Sequence, residues 1–154
     1  MASFGNINTT AYNNRHLTFS WTTKTQSIEN NHTVISWALA GAGTATGYYK
    51  AAPFTVIING ETVYSSSTRI ELRDGTKVAS GEAVIKHNAD GTKRFSVSVS
   101  AAIYSYTVNV SASGSWDLNA IPKGAKITAS TAFTDISNPT ISYTNAAGES
   151  VTSL

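Results

Sequence analysis

Apolar and hydroxyl side chains alternate strictly along residues 95–101, and this pattern constrains the fold of the 154-residue chain more than any other feature. Phe95, Val97 and Val99 occupy odd positions, and serine occupies the even positions between them. A period of two residues indicates a β-strand with one face buried and the other facing water. Residues 17–22 repeat the pattern. The sequence therefore predicts half-buried antiparallel strands.

The composition also favours strands over helices. The chain contains 20 Ser and 21 Thr but only 5 Leu. Thr, Val, Ile and aromatic residues fit a pleated surface, whereas the residues that carry most helices are scarce here. The absence of Cys excludes a disulfide framework, thiolate metal ligands and Cys nucleophiles. The small net charge of +2 is scattered, so we expect no nucleic-acid surface, and no apolar stretch is long enough for membrane insertion.

Turn signals separate the predicted strands. Asn59-Gly60 predicts a type I′ hairpin in which Val56 faces Val63. The Gly-rich residues 41–47 are typical of a flexible loop. The apolar positions change from odd to even near Ile103–Tyr104, which predicts a turn or bulge there. Short strands with turn signals about every 8–12 residues predict an all-β fold, an antiparallel β-sandwich of Ig-like or jelly-roll-like type.

The same patterns predict the domain organisation. Residues 1–16 are polar and rich in Asn, and we interpret them as an N-terminal arm. Residues 17–120 form the β-sandwich domain, and residues 121–124 (Ile-Pro-Lys-Gly) form a hinge. Residues 125–154 contain further strand and turn patterns but are too few to fold alone. We therefore expect a partial or appended β module, the start of a second Ig-like module in a longer protein.

The sequence predicts no catalytic residues, no metal site and no cofactor. The three histidines stand in no recognisable catalytic motif. Residues 88–91 match the centre of a calcium-loop pattern, but Lys86 and Val97 occupy its first and last ligand positions. A hairpin turn, in which Asn and Asp cap their own backbone, explains this segment better. No pair of carboxylates is placed for glycoside hydrolysis.

The aromatic residues provide the candidate site. The three tryptophans lie within apolar alternation and are predicted to belong to the core. Tyr48 and Tyr49 directly follow the glycine loop, and because adjacent strand residues point to opposite faces, one of them should be exposed. An exposed tyrosine beside Asn and Ser groups could stack on a sugar ring. The candidate ligand-binding residues are Tyr48, Tyr49 and Tyr64.

Three segments together resemble a known family. They are His87-Asn88-Ala89-Asp90-Gly91-Thr92-Lys93 with the strand that follows it, Gly114-Ser115-Trp116-Asp117-Leu118 with Ile121-Pro122, and residues 127–141. In this order they resemble the β-rich tail proteins of siphophages that infect Gram-positive bacteria, especially streptococci. The resemblance covers roughly residues 15–154, and it departs from the family pattern where Lys123 replaces an Arg after Ile-Pro.

The resemblance implies a non-enzymatic tail or tail-tip component, of a baseplate or fibre, that contributes to host attachment. Such a protein is made in the cytoplasm of the host bacterium and is located in the virion. Its partners would be other tail subunits, including further copies of itself, and cell-wall polysaccharide. The alternative is a carbohydrate-binding module that recognises bacterial wall polysaccharide. Glycan-array binding that is lost on the Tyr49→Ala substitution would favour this alternative, whereas a sandwich whose loops carry no clustered aromatic residues would favour the tail component.

Overall fold

The computed structural model describes residues 1–124, 126–129 and 141–153, and these residues form β-strands, turns and loops without a helix. The predicted all-β fold class is thereby confirmed. No element in this part of the chain is a helix of the length and apolarity that crossing a membrane requires. The chain divides into two compact units, Met1–Ile121 and Pro122–Leu154.

The first unit is built from two four-stranded antiparallel sheets and a two-stranded ribbon. Its strands are β1 (Phe4–Asn8), β2 (His16–Ser27), β3 (His32–Ala42), β4 (Tyr49–Ala51), β5 (Phe54–Ile58), β6 (Glu61–Ser66), β7 (Ile70–Leu72), β8 (Lys77–Lys86), β9 (Arg94–Ile103) and β10 (Val108–Asp117). One sheet has the order β1-β2-β3-β8, the other has the order β10-β9-β5-β6, and β4 pairs with β7.

The inward-facing side chains of the two sheets form one core. Phe95, Val97 and Val99 on β9 are buried, as their alternation predicts. The ring of Trp21 on β2 meets the ring of Phe95 edge-on, with centroids 4.8 Å apart, which joins the two sheets face to face. Burial of each large apolar side chain contributes about 1.5–3 kcal/mol. Trp37 is also buried, so Trp21 and Trp37 belong to the core as predicted, and Trp116 is partly buried and packs against it.

The predicted N-terminal arm is wrong for residues 4–8, which form β1 and pair with β2 from Phe4↔Thr22 to Asn8↔Thr18. The strand carries few apolar residues because its alternate side chains face water. Its backbone instead approaches the core closely at Gly5, where a Cβ atom would lie 2.6 Å from the Trp116 indole nitrogen. Beyond β1, Ala2 pairs in parallel with Leu118 and closes this side of the sandwich against the end of β10.

The Asn59-Gly60 turn forms as predicted, with φ angles of 51° and 80°. The predicted facing of Val56 and Val63 is wrong. The register shifts within this hairpin, so that Val56 pairs with Tyr64 and Val63 is the extra residue of a β-bulge. A bulge of this kind bends and twists the strand locally. The sequence signal specified the turn but not the irregularity that follows it.

The second unit contains a three-stranded antiparallel sheet in its described residues. Its strands, in the sheet order β11-β12-β13, are β11 (Lys126–Ala129), β12 (Ile141–Thr144) and β13 (Ser150–Ser153). The side-chain oxygen of Asn145 accepts hydrogen bonds of 3.0 Å from the amides of Ala147 and Glu149, which stabilises the turn between β12 and β13. Residues 130–140, which carry part of the family resemblance, lie outside the described residues.

Candidate binding site

Five tyrosines gather at one end of the first unit, and we name this surface the tyrosine end. Its members are Tyr12, Tyr48, Tyr49, Tyr104 and Tyr106. Three of them are in mutual ring contact, with centroid distances of 6.3 Å between Tyr12 and Tyr49, 4.8 Å between Tyr12 and Tyr104, and 5.4 Å between Tyr49 and Tyr104. Aromatic pairs in this range attract by about 0.5–1.5 kcal/mol beyond their burial. The contacts therefore hold three rings from distant parts of the sequence together.

Tyr48 and Tyr49 differ in exposure, as the sequence predicts. Tyr49 is the first residue of β4, where it pairs with Leu72, and its ring packs half-buried against the core. Tyr48 lies just before the strand and is 42% exposed. Tyr49 thus anchors the surface to the core, and Tyr48 presents its ring to solvent.

Tyr104 is carried by a strained turn between β9 and β10. Tyr104, Ser105 and Tyr106 have φ angles of 52°, 57° and 67°, all in the left-handed region that favours glycine. Each such residue costs on the order of 1–2 kcal/mol. Thr107 stabilises the turn, because its amide donates to Ile103 O at 3.1 Å and its hydroxyl donates to Tyr104 O at 2.6 Å. This turn occupies the place where the apolar positions switch, and it leaves Tyr104 46% exposed.

Arg15 organises the Gly-rich loop that precedes Tyr48. Arg15 is only 1% exposed, and its guanidinium donates to the carbonyl oxygens of Gly43 at 3.0 Å, Ala45 at 2.6 Å and Gly47 at 3.1 Å. Arg15 is itself positioned by paired backbone hydrogen bonds with Tyr12, both of 2.9 Å. The loop predicted to be flexible is therefore wrapped around a buried cation.

A shallow cavity of about 270 Å³ opens at the tyrosine end, lined by Tyr48, Tyr49, Lys50, Tyr104 and Ser105. Two further cations lie on tyrosine faces at its border. The guanidinium carbon of Arg73 is 5.0 Å from the centre of the Tyr48 ring, and that of Arg69 is 4.8 Å from the centre of the Tyr106 ring. Such cation–π contacts help to fix the orientation of the rings. The site thus combines flat apolar surfaces with hydroxyl and ammonium hydrogen-bond donors.

The structure does not bring Tyr64 to the tyrosine end. Tyr64 lies on β6, and its ring packs against the core with its centroid 6.5 Å from that of Trp37. Tyr12 and Tyr104 take its place beside Tyr48 and Tyr49. The switch in apolar positions was the one sequence signal for Tyr104, and Tyr12 lies in the segment interpreted from the sequence as an N-terminal arm.

His87 has a structural place in the hairpin turn at residues 88–92. Its Nε2 lies 2.7 Å from the Thr33 hydroxyl, and its Nδ1 lies 2.7 Å from the carbonyl oxygen of Gly91. Both ring nitrogens are therefore engaged within the fold. The interpretation of this segment as a hairpin turn is confirmed, since the Asp90 carboxylate accepts from the Thr92 amide at 2.9 Å. Within the described ranges, no group of three or more His, Cys, Asp or Glu side chains could hold a metal ion.

The chain matches no protein-family model, no curated protein and no solved structure. The interpretation of the tyrosine end therefore depends on its geometry and on the resemblance of the sequence segments described above.

Proposed function

We propose that this chain is a non-enzymatic attachment module of a virion tail, and that it binds a bacterial wall polysaccharide through the tyrosine end. The observation that carries the proposal is the mutual ring contact of Tyr12, Tyr49 and Tyr104 beside the exposed ring of Tyr48. The resemblance to siphophage tail proteins supports the location in a virion. Clustered aromatic residues in the loops favour carbohydrate binding over a purely structural role.

Tyrosine suits this kind of recognition for physical reasons. Its ring offers a large apolar face at a low cost in side-chain entropy, and its hydroxyl can exchange hydrogen bonds with a polar ligand. A sugar ring presents a complementary combination of apolar C–H faces and hydroxyl groups. The hydrogen bonds of Arg15 and Thr107 hold the two supporting loops in place, which reduces the entropy that binding must offset.

The shape of the cavity favours a polymer over a small enclosed ligand. Pockets that enclose drug-sized ligands have volumes of about 300–1,000 Å³ and bury most of the ligand surface. The cavity here is smaller, at about 270 Å³, and two of its lining tyrosines are well exposed. A polysaccharide could lie across this surface and contact several rings along its length.

Titration of purified Gram-positive wall polysaccharide, followed by calorimetry, tests the proposal. The Tyr48→Ala and Tyr104→Ala substitutions remove exposed rings, and each should weaken binding about tenfold, which corresponds to about 1.4 kcal/mol. Phe4→Ala is a matched control, since Phe4 is 71% exposed on β1, outside the tyrosine end, and its loss should leave affinity unchanged. Absence of saturable binding, or equal affinity in the Tyr48→Ala/Tyr104→Ala double variant, would refute polysaccharide binding at this surface.

A tail subunit used only for assembly is the second candidate. It is favoured by the edges of β6 and β8, which no strand in the described part of the chain pairs with. They border a groove of about 540 Å³ that includes Val63, Ala83 and Ile85. Edges of this kind can accept a strand from a neighbouring chain. Cross-linking of intact virions, with identification of the linked peptides, tests this role. Cross-links from β6 or β8 to another tail subunit would support it, and their absence would count against it.

A further inference from the structure

We infer that two copies of this chain associate by pairing their β8 strands in antiparallel fashion about a two-fold axis at Val84. β8 spans Lys77–Lys86 and ends its sheet, because β3 pairs with one side of it and no strand among the described residues pairs with the other. A ten-residue edge strand offers a long row of backbone donors and acceptors to a second chain. The opposite side of the sandwich is closed where Ala2 pairs with Leu118.

The hydrogen-bonding pattern identifies which residues face the open edge. The His87 amide donates to the carbonyl oxygen of Asn31 at 2.9 Å, in continuation of the β3–β8 register. Backbone groups alternate in direction along an antiparallel strand, so the odd-numbered positions of this part of β8 face β3. The N–H and C=O groups of Glu82, Val84 and Lys86 therefore point to the open edge.

Charge complementarity then selects one register. When Val84 stands opposite its own copy, Glu82 stands opposite Lys86 of the second copy, and the two-fold axis repeats this pair. An axis at Glu82 or at Lys86 would instead place like charges opposite each other. An axis at Ala83 or Ile85 would leave Glu82 without a cation opposite it. Pairing at Val84 thus satisfies both charges and all the outward-facing backbone groups of residues 82–86.

The side chains around the axis agree with this arrangement. Val84 is 59% exposed, although it is a large apolar residue, and its contact with its own copy would cover it. On the inner side of the strand, Ala83 would stand opposite Ile85 of the second copy, beside the groove between β8 and β6. Glu82 already binds Lys24 within the chain, but a carboxylate has two oxygens and can accept from both lysines.

A single cysteine substitution tests the position of the axis. The chain contains no cysteine, so Val84→Cys introduces the sole thiol. A hydrogen-bonded antiparallel pair has a Cα–Cα distance of about 5.5 Å, which lies within the range for a disulfide. We expect Val84→Cys to form a covalent dimer under mild oxidation. Ser80→Cys is the matched control on the same exposed face, because it would lie about 27 Å from its copy, eight positions at ~3.4 Å each.

Charge reversal tests the register independently. Glu82→Lys should raise the dimer dissociation constant about tenfold, because it converts two attractive pairs into two repulsive ones. The double variant Glu82→Lys/Lys86→Glu should restore the dissociation constant to within about threefold, since the pairs re-form with reversed polarity. Sedimentation velocity over a concentration series measures both. A chain that stays monomeric at the highest concentration, or a dimer that is indifferent to Glu82→Lys, or equal cross-linking of Val84→Cys and Ser80→Cys, would overturn the inference.

Discussion

The Arg15 guanidinium donates a hydrogen bond of 2.6 Å to the carbonyl oxygen of Ala45, 30 positions further along the chain. Further bonds to Gly43 and Gly47 make this side chain the centre of the loop that leads to Tyr48. Charged residues are seldom fully buried unless their hydrogen-bonding groups are satisfied. Three backbone carbonyls accept from the two terminal nitrogens, whereas the buried Nε has no hydrogen-bond partner among the described residues. The loop and the cation therefore depend on each other.

Arg15→Ala should lower the free energy of unfolding by about 3 kcal/mol, because it removes three charge-assisted hydrogen bonds and leaves part-buried carbonyls without these donors. Arg15→Lys should recover only part of this loss, since an ammonium lacks the planar fork of the guanidinium. Urea denaturation followed by tryptophan fluorescence measures both changes. Arg94→Ala is the control, because Arg94 forms an exposed ion pair with Asp117, and its removal should cost about 0–1 kcal/mol. If Arg15→Ala and Arg94→Ala lower the free energy of unfolding by the same amount, Arg15 does not hold the Gly-rich loop in place.

Gly43→Ala should be strongly destabilising. Gly43 has a φ angle of 111°, and an added Cβ would lie 1.9 Å from the carbonyl oxygen of Asn14. Backbone strain and this clash together should cost about 3 kcal/mol. Gly47→Ala separates the two causes, because Gly47 has a φ angle of 77° but open space around it. This substitution introduces backbone strain without a clash, so it should lower the free energy of unfolding by only about 1 kcal/mol. Thermal denaturation compares the variants, and a smaller loss at position 43 than at position 47 would be inconsistent with this packing.

Gly5→Ala tests whether β1 belongs to the sandwich. An added Cβ would lie 2.6 Å from the Trp116 indole nitrogen and 2.7 Å from that of Trp21. Displacement of two packed rings should cost about 1–3 kcal/mol. Tryptophan fluorescence should change as well, because both indoles would move. Asn6→Ala is the control at the neighbouring exposed position, and it should leave the stability and the spectrum nearly unchanged. If Gly5→Ala also leaves both unchanged, β1 does not pack against the core.

Ser105→Gly should stabilise the protein by about 0.5–1 kcal/mol. Glycine adopts the left-handed conformation without steric cost, and this gain is only partly offset by the larger backbone entropy that glycine loses on folding. Ser105 has a φ angle of 57° and is exposed, so little else should change. The midpoint of chemical denaturation measures the effect. A lower midpoint would show that the turn is less strained than its backbone angles indicate.

The strands that the sequence predicted well are those whose side chains alternate between core and water. On β9, Phe95 and Val97 made this alternation visible, and the structure confirms it. β1 was not predicted, because its outward side chains at Asn6 and Asn8 are polar. Its closest approach to the core is made by the backbone at Gly5, which has no side chain. A residue that contributes by leaving space produces no apolar pattern.

The candidate site was predictable only where its residues are adjacent in the sequence. Tyr48 and Tyr49 follow a glycine loop, and their opposite orientation follows from strand geometry alone. Their contacts with Tyr12 and Tyr104 depend on how distant strands pair, which the local pattern does not encode. The burial of Arg15 was hidden for the same reason, because its acceptors are backbone carbonyls and not an acidic side chain.

The parallel pairing of Ala2 with Leu118 also has a practical consequence. It places residues near both ends of the first unit side by side, with the Ala2 amide 2.8 Å from the carbonyl oxygen of Asp117. A short glycine-serine linker could therefore join these positions, and new termini could be opened at the exposed Asn59-Gly60 turn. Such a circular permutant would retain all the strands of this unit. It would allow a reporter protein to be attached beside Ser96 near the start of β9, away from the tyrosine end, where β9 finishes.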